Sequence, residues 1–164
     1  MKRFIRILLW SVLSLVVILF ALGAGFIYKI KNGLPVFYET EVPAIDFPVN
    51  KTSVLLFSKA TGFRHGESIG ESKKVFAELA IKNGWVLYET EEGGVFNPGQ
   101  LAKFDAVIFN NSTGRVLNDE QQSALESYVE QGGKLIGIHG AGDDSHHWDW
   151  YEKNLLGTTF SHHA

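Results

Sequence analysis

The chain has 164 residues, 45% of them apolar, which is enough for one globular domain and a shorter additional segment. It contains no cysteine, so disulfides, thiolate nucleophiles and cysteine-ligated metal sites are excluded. The net charge of −3 is unevenly distributed: of 15 basic residues, five lie in the first 31 positions without any acid, leaving 10 against 18 acids. We therefore expect no nucleic-acid partner, since that function needs a basic surface.

The amino-terminal segment combines length, apolar character and flanking positive charge. Ile7–Tyr28 comprises 22 residues without a charged side chain and has basic residues on both sides. This pattern predicts a helix that crosses a membrane once, with the rest of the chain on the extracytoplasmic side. A cleaved signal peptide is the alternative, because Ala21–Gly23 and Gly23–Gly25 are small-x-small patterns. Residues 1–31 are thus interpreted as a transmembrane anchor or signal sequence.

The next segment, residues 32–52, contains three prolines and little periodicity. It predicts an extended linker, because proline favours polyproline-like or edge-strand backbone. Residues 53–164 would then form the folded domain.

That domain alternates apolar runs with amphipathic stretches. The predicted strands are Ser53–Ser58, Trp85–Thr90, Ala106–Phe109 and Lys134–Ile138. We expect the fourth of them to be buried. One helix should end at Asn83-Gly84, and another should begin at Asn118 with Gln121 completing a capping box. This alternation predicts an α/β fold with a flavodoxin-like, doubly wound parallel sheet of strand order 2-1-3-4. Such sheets usually have a fifth strand, and no strand pattern follows Trp150–Leu156. We therefore expect the carboxyl-terminal part of the domain to be missing from this chain.

Polar loops should leave strands one, three and four at the same sheet edge, where ligands bind in open α/β sheets. The candidate site residues on them are Arg64 and His65, then Thr113 and Gly114, then His139 and Asp143. Arg64 and His65 also precede a predicted helix amino terminus, which attracts anions. A solvated basic loop is the competing interpretation.

His139 occupies the centre of a Gly-x-His-x-small segment that resembles a nucleophile elbow. A histidine there can act as a general base, a metal ligand or a hydrogen-bond donor to an oxyanion, or can merely satisfy buried backbone groups. None of the six histidines has a familiar metal-ligand spacing. We expect no cofactor, although His and Asp from separate loops leave a bound divalent metal open.

Trp148-Asp149-Trp150-Tyr151 is both aromatic and acidic. Aromatic rings cover the C–H faces of sugars and carboxylates accept from hydroxyls, so this segment indicates sugar binding. Ordinary core packing at the start of a helix is the alternative, and it is favoured for one of the two tryptophans.

Five motifs in order now support a family resemblance. They are Phe57–His65, Thr113-Gly114-x-Val116-Leu117, Gly137-x-His139-x-Ala141-x-Asp143, Trp148-x-Trp150-Tyr151 and Phe160-x-x-His163. Together they resemble the ThuA-like (trehalose-utilisation) family. The resemblance implies a class I glutamine amidotransferase-like domain without the amidotransferase cysteine, and a role with disaccharides or their 3-keto derivatives. Ala164 stands where the family often has proline.

Two functions remain open. In the first, an anchored enzyme acts on a sugar or oxidised sugar by proton transfer beside a carbonyl. His139 is then the acid/base, Asp143 orients it, and His65 and Arg64 polarise the substrate. The residues expected to bind the substrate are Arg64, Thr113, Gly114, Trp148, Trp150 and His163. In the second, the domain is a non-catalytic module that binds a carbohydrate or a partner. A degenerate amidotransferase is set aside because no cysteine can accept the glutamine acyl group.

Overall fold

The structure is a computed structural model that describes residues 2–31, 37–48, 50–159 and 161. The first helix, α1, spans Lys2–Lys31. Within Arg3–Lys29, the most apolar 18-residue window has a mean hydropathy of 2.7 and is not buried against the protein at all. By length and composition α1 can cross a membrane, and its exposure distinguishes it from a core helix.

Four parallel strands form the sheet: β1 (Ser53–Phe57), β2 (Val86–Thr90), β3 (Ala106–Asn110) and β4 (Lys134–Ile138). Their order is β2-β1-β3-β4, as predicted. In register, Leu55 lies beside Tyr88 and Val107, and Val107 lies beside Leu135. Parallel pairing brings all four carboxyl ends to one edge, here called the carboxyl edge, and all four amino ends to the opposite amino edge.

Helices connect the strands: α2 (Gly66–Asn83), the short α3 (Pro98–Leu101) and α4 (Asp119–Glu130). The predicted stop of α2 is confirmed, with Gly84 in the left-handed conformation at φ 69°. The predicted capping box is confirmed as well: Asn118 accepts from the Gln121 backbone N–H, and the Gln121 side chain accepts in return.

Alternate strand residues face opposite layers of the molecule. Val54, Leu56 and Ile108 form a small cluster with side chains that include Phe76 of α2. The larger core lies on the other face, and its central residues are Leu55, Phe57, Val107, Phe109, Leu125 and Tyr151. Continuous burial of β1 and β3 explains their uninterrupted apolar sequences.

The prediction that β4 is buried is wrong, because each of its residues is exposed or only partly buried. Ile136 is 48% exposed, and Gly137 is exposed beside it. Within the described residues β4 pairs with β3 alone, so it is an edge strand. A run of apolar residues shows that a segment is hydrophobic, but it does not show which neighbouring elements of the fold cover that segment.

Residues 37–48, here called the strap, pack against the domain without forming a helix or strand. Ile45 is 7% exposed in the core, and its carbonyl oxygen accepts from Lys103 Nζ at 2.7 Å. The Phe47 ring packs edge-on against Phe104 at 5.2 Å between centroids. The described part of the predicted linker therefore forms no helix or strand and packs as part of the folded unit.

The first residues of the strap are held at the carboxyl edge. Glu39 forms an ion pair with the nearly buried Lys59, and the Glu39 carbonyl accepts from Gln121 Nε2 at 2.7 Å. Burial tends to raise the pKa of the Glu39 carboxyl, but the hydrogen bond and charge of Lys59 outweigh it and lower that pKa. The carbonyl oxygen of Glu41 lies so close to Gly94 that a Cβ there would sit 1.8 Å away.

Candidate functional site

A cavity of about 450 Å³ opens at the carboxyl edge. Its walls come from the segments that follow β1, β3 and β4, and the described lining residues are Phe63, His65, Thr113, His139, Gly140, Gly142 and Asp143. The three segments expected from the strand order to meet thus surround one space. Four of the sequence-predicted site residues, His65, Thr113, His139 and Asp143, line it together.

His139 follows β4 directly and adopts a left-handed backbone conformation with φ 47°. It begins a 3-10 helix, His139–His147, where the sequence suggested a loop. A non-glycine residue in this region is uncommon and costs conformational energy, although histidine tolerates it better than most. Such strain is often retained at functional sites because it fixes a side chain in place.

The imidazole rings of His65 and His139 are in contact. Their centroids are 4.4 Å apart with the planes inclined by 68°. Phe63 packs edge-on against His65 at 4.8 Å and is itself 73% exposed. The cavity therefore offers two adjacent nitrogen-bearing rings and one exposed aromatic ring.

Gly140 permits this close approach. A Cβ at Gly140 would lie 2.8 Å from Thr113 Cγ2 and 3.2 Å from His65 Cδ2, both closer than normal contacts. A Cβ at Gly142, which lines the same cavity, would meet no atom within 4 Å. The two glycines thus share a location and differ in how tightly they are packed.

Hydrogen bonds join the segment after β3 to the segment after β1. The Thr113 carbonyl accepts from the backbone N–H groups of Thr61 at 2.8 Å and Gly62 at 3.0 Å. Thr113 Oγ1 donates to the Phe63 carbonyl at 2.8 Å. Gly114 adopts φ 73°, which favours glycine, and lies buried in the turn. Thr113 is therefore fixed by its backbone and hydroxyl, while its methyl group lies beside Gly140.

A buried polar cluster lies where β3 ends. Asn110 Nδ2 donates to Ser58 Oγ at 3.1 Å, and Ser72 Oγ and Asn111 Nδ2 both donate to Asn110 Oδ1. Asn111 has φ 57°, and its buried Oδ1 accepts no hydrogen bond from the described residues. These bonds fix the start of the segment that carries Thr113.

Arg64 does not line the cavity. Its guanidinium donates two hydrogen bonds to Glu91, at 2.8 Å and 2.7 Å. These bonds lower the pKa of the Glu91 carboxyl and raise that of Arg64. The expected role of Arg64 in substrate binding stays a prediction.

The two tryptophans also lie outside the cavity wall. Trp148 is 4% exposed, donates through Nε1 to Glu126 at 2.6 Å, and stacks on Trp150 and Tyr151. Trp150 is half-buried against the same core. The packing interpretation thus describes their position in this structure. His163 lies outside the described residues.

Within the described part of the chain, no group of three or more His, Asp or Glu side chains is arranged to hold a metal ion. Phe63 and Gly140 lie on the loops that the sequence predicted to form the site, but the sequence assigned no role to either of them or to Gly142. Phe63 stands one residue before Arg64, so its exposure depends on a loop conformation that no periodicity reports. The glycine-rich sequence after His139 was the signal that could have predicted close packing of this segment against the neighbouring loops.

A parallel 2-1-3-4 sheet with a cavity at its carboxyl edge defines a flavodoxin-like α/β domain. A family model described as "ThuA: Trehalose utilisation" matches residues 53–164, and the chain belongs to this family. A search of curated proteins finds no match.

A crystal structure of a ThuA-like protein from Bacteroides uniformis shares the fold, with a TM-score of 0.57 and 24% identity. The match covers 74% of this chain and 50% of the other, so this chain spans about half of that protein's length. At this identity the likeness shows the fold alone.

Proposed function

We propose that this ThuA protein is a membrane-anchored enzyme that acts on a sugar or oxidised sugar by acid/base proton transfer. The observation that carries the proposal is the contact between His65 and His139 in a cavity that Asp143 also lines. The family's description as trehalose utilisation supports a saccharide as the ligand. The cavity volume of about 450 Å³ is in the range of small-molecule sites.

The proposed chemistry needs one base and one hydrogen-bond donor beside a carbonyl. His139 removes a proton from the carbon next to the carbonyl of a keto-sugar, and the electron pair moves onto the carbonyl oxygen. His65 donates a hydrogen bond to that oxygen, and Asp143 orients the imidazole of His139. Protonation of the carbonyl oxygen gives the enol. In elimination the enolate instead re-forms the carbonyl, a carbon–carbon double bond forms as the bond from the β-carbon to its oxygen substituent breaks, and His139 returns its proton to the departing oxygen.

Turnover of a 3-keto-disaccharide by the full chain tests this function. General-base catalysis contributes roughly 10²- to 10⁴-fold, so His139→Ala should lower kcat by about that factor. Lys82→Ala, an exposed change at the end of α2, should leave the rate unchanged. Equal rates for wild type and His139→Ala would remove His139 from the mechanism.

The exposed ring of Phe63 favours a second candidate function, a binding module without turnover. Aromatic faces bind the C–H surfaces of sugars without any proton transfer. Calorimetric sugar binding that persists in His139→Ala and is lost in Phe63→Ala, with no product formed, would select this candidate.

We propose further that α1 remains attached and anchors the domain on the extracytoplasmic side, because three basic residues precede its apolar part. Lys82→Cys, at an exposed position, tests the side of the membrane on which the domain lies, since the chain has no cysteine of its own. A membrane-impermeant maleimide applied to intact cells should label it. Labelling only after lysis would reverse the assigned side.

A further inference from the structure

The strap enters the domain at the same edge as the cavity. Its Glu39 contacts Lys59, which follows β1, and accepts from the backbone N–H of Gly93 after β2 at 3.3 Å. Further along, the Ile45 carbonyl accepts from Lys103, just before β3. The strap therefore runs from the carboxyl edge to the amino edge, where β1 begins.

The segment that connects α1 to the first residue of the strap, Phe37, is short. The helix ends at Lys31, and Phe37 follows six peptide units later. Whatever their conformation, six units span at most about 22 Å. The amino edge lies farther from this attachment by the length of a five-residue strand, about 16 Å.

We propose that the carboxyl edge of the domain, with its cavity, faces the lipid headgroups of the membrane that α1 crosses. The inference rests on the membrane anchoring proposed above and goes beyond the sugar chemistry. Phe37 and Phe63 are 72% and 73% exposed. Phe63 is on the cavity wall, and Phe37 adjoins Tyr38, whose ring lies 5.7 Å from Lys59 Nζ. Apolar rings on this surface fit an interface with lipid better than bulk water.

The tether, not electrostatic attraction, sets this orientation. Lys59 and Arg64 at the carboxyl edge are each paired with a carboxylate, from Glu39 and Glu91 respectively. Attraction between unpaired basic groups and anionic lipid would weaken with salt. The orientation should therefore be the same in neutral phosphatidylcholine vesicles at low and high salt.

Single cysteines can test the orientation in the full chain, since it contains none of its own. Glu120→Cys lies in the first turn of α4 at the carboxyl edge, and Lys82→Cys lies in the last turn of α2 at the amino edge. Both positions are exposed and outside the cavity lining. Each variant carries a fluorophore and is reconstituted in phosphatidylcholine vesicles that contain a headgroup nitroxide lipid.

The label at position 120 should be quenched at least about twofold more strongly than the label at position 82. The reason is that the two edges differ by about 16 Å in their distance from the membrane. Twenty Gly/Ser residues inserted after Asn32 should abolish the difference while the protein still floats with vesicles. Equal quenching in the original chain would overturn the orientation, and a difference that survives the insertion would overturn the short tether as its cause. Failure to float would overturn the anchoring and this inference together, while sugar turnover is measured separately.

Discussion

Two segments that lie outside the strands and the long helices meet the carboxyl edge in different ways. The strap, residues 37–48, is closed against the domain by the Glu39–Lys59 ion pair and by Ile45 in the core. The 3-10 helix His139–His147 instead begins with an exposed, left-handed histidine beside open space. Backbone strain at an exposed residue that lines a cavity is often retained for function, so the second segment is the candidate for chemistry.

The largest expected effect is in the strap. Gly94→Ala would place a Cβ 1.8 Å from the Glu41 carbonyl oxygen, so the strap backbone must move. We expect the free energy of unfolding to fall by about 3 kcal/mol. Urea unfolding in detergent micelles, followed by tryptophan fluorescence, measures it. The control is Gly99→Ala in α3, whose Cβ would meet its nearest atom at an ordinary 3.5 Å. Matching midpoints for the two variants would show that the strap is not closely packed.

The ion pair should contribute less and depend on pH. Glu39→Gln leaves the nearly buried Lys59 without its carboxylate, so we expect a loss of about 2 kcal/mol at pH 7. Adding Lys59→Met should recover part of it. Because the folded-state pKa of Glu39 is lowered, its contribution is complete above the unfolded pKa of about 4.3 and is lost as pH falls through the folded pKa. A wild-type advantage that stayed constant from neutral pH down through this acidic range would contradict this account.

Gly140 and Gly142 allow a matched test of the 3-10 helix His139–His147. Gly140→Ala should push Thr113 or His65 from position and weaken sugar binding about tenfold, or about 1.4 kcal/mol. Gly142→Ala, with no atom near its Cβ, should bind like wild type. Isothermal titration with a keto-disaccharide compares them. If both variants bound equally, the cavity would not be the ligand site.

The smallest expected effect is the contribution of backbone strain at His139 to stability, measured separately from its role in turnover. His139→Gly relieves the left-handed backbone that His139→Ala retains, so it should be more stable than the alanine variant by roughly 1 kcal/mol. Neither variant has the imidazole, so both should show the same loss of kcat, roughly 10²- to 10⁴-fold. A glycine variant no more stable than the alanine variant would mean that this backbone carries no strain.

The sequence predicted those parts of the fold that local chemistry determines. Apolar runs located β1 and β3, and Asn118 with Gln121 located the start of α4, because capping depends on residues three apart. Ile45 and Phe47 were not recognised as packing residues, since their burial depends on Phe104 far along the chain. The Arg64–Glu91 pair was missed for the same reason, because its members are 27 positions apart in the sequence. The convergence of His65, Thr113 and His139 was accessible because strand order alone implies it.

The central claim is that one saccharide contacts the segments after β1 and β4 at once. Imidazole proton resonances of His65 and His139, followed by NMR during titration with a 3-keto-disaccharide, test it most directly. Both histidines should shift along one saturation curve, while the indole N–H of Trp148, held by Glu126 in the core, stays unchanged. Saturable binding that moves the Trp148 signal and leaves both histidines unmoved would contradict the account.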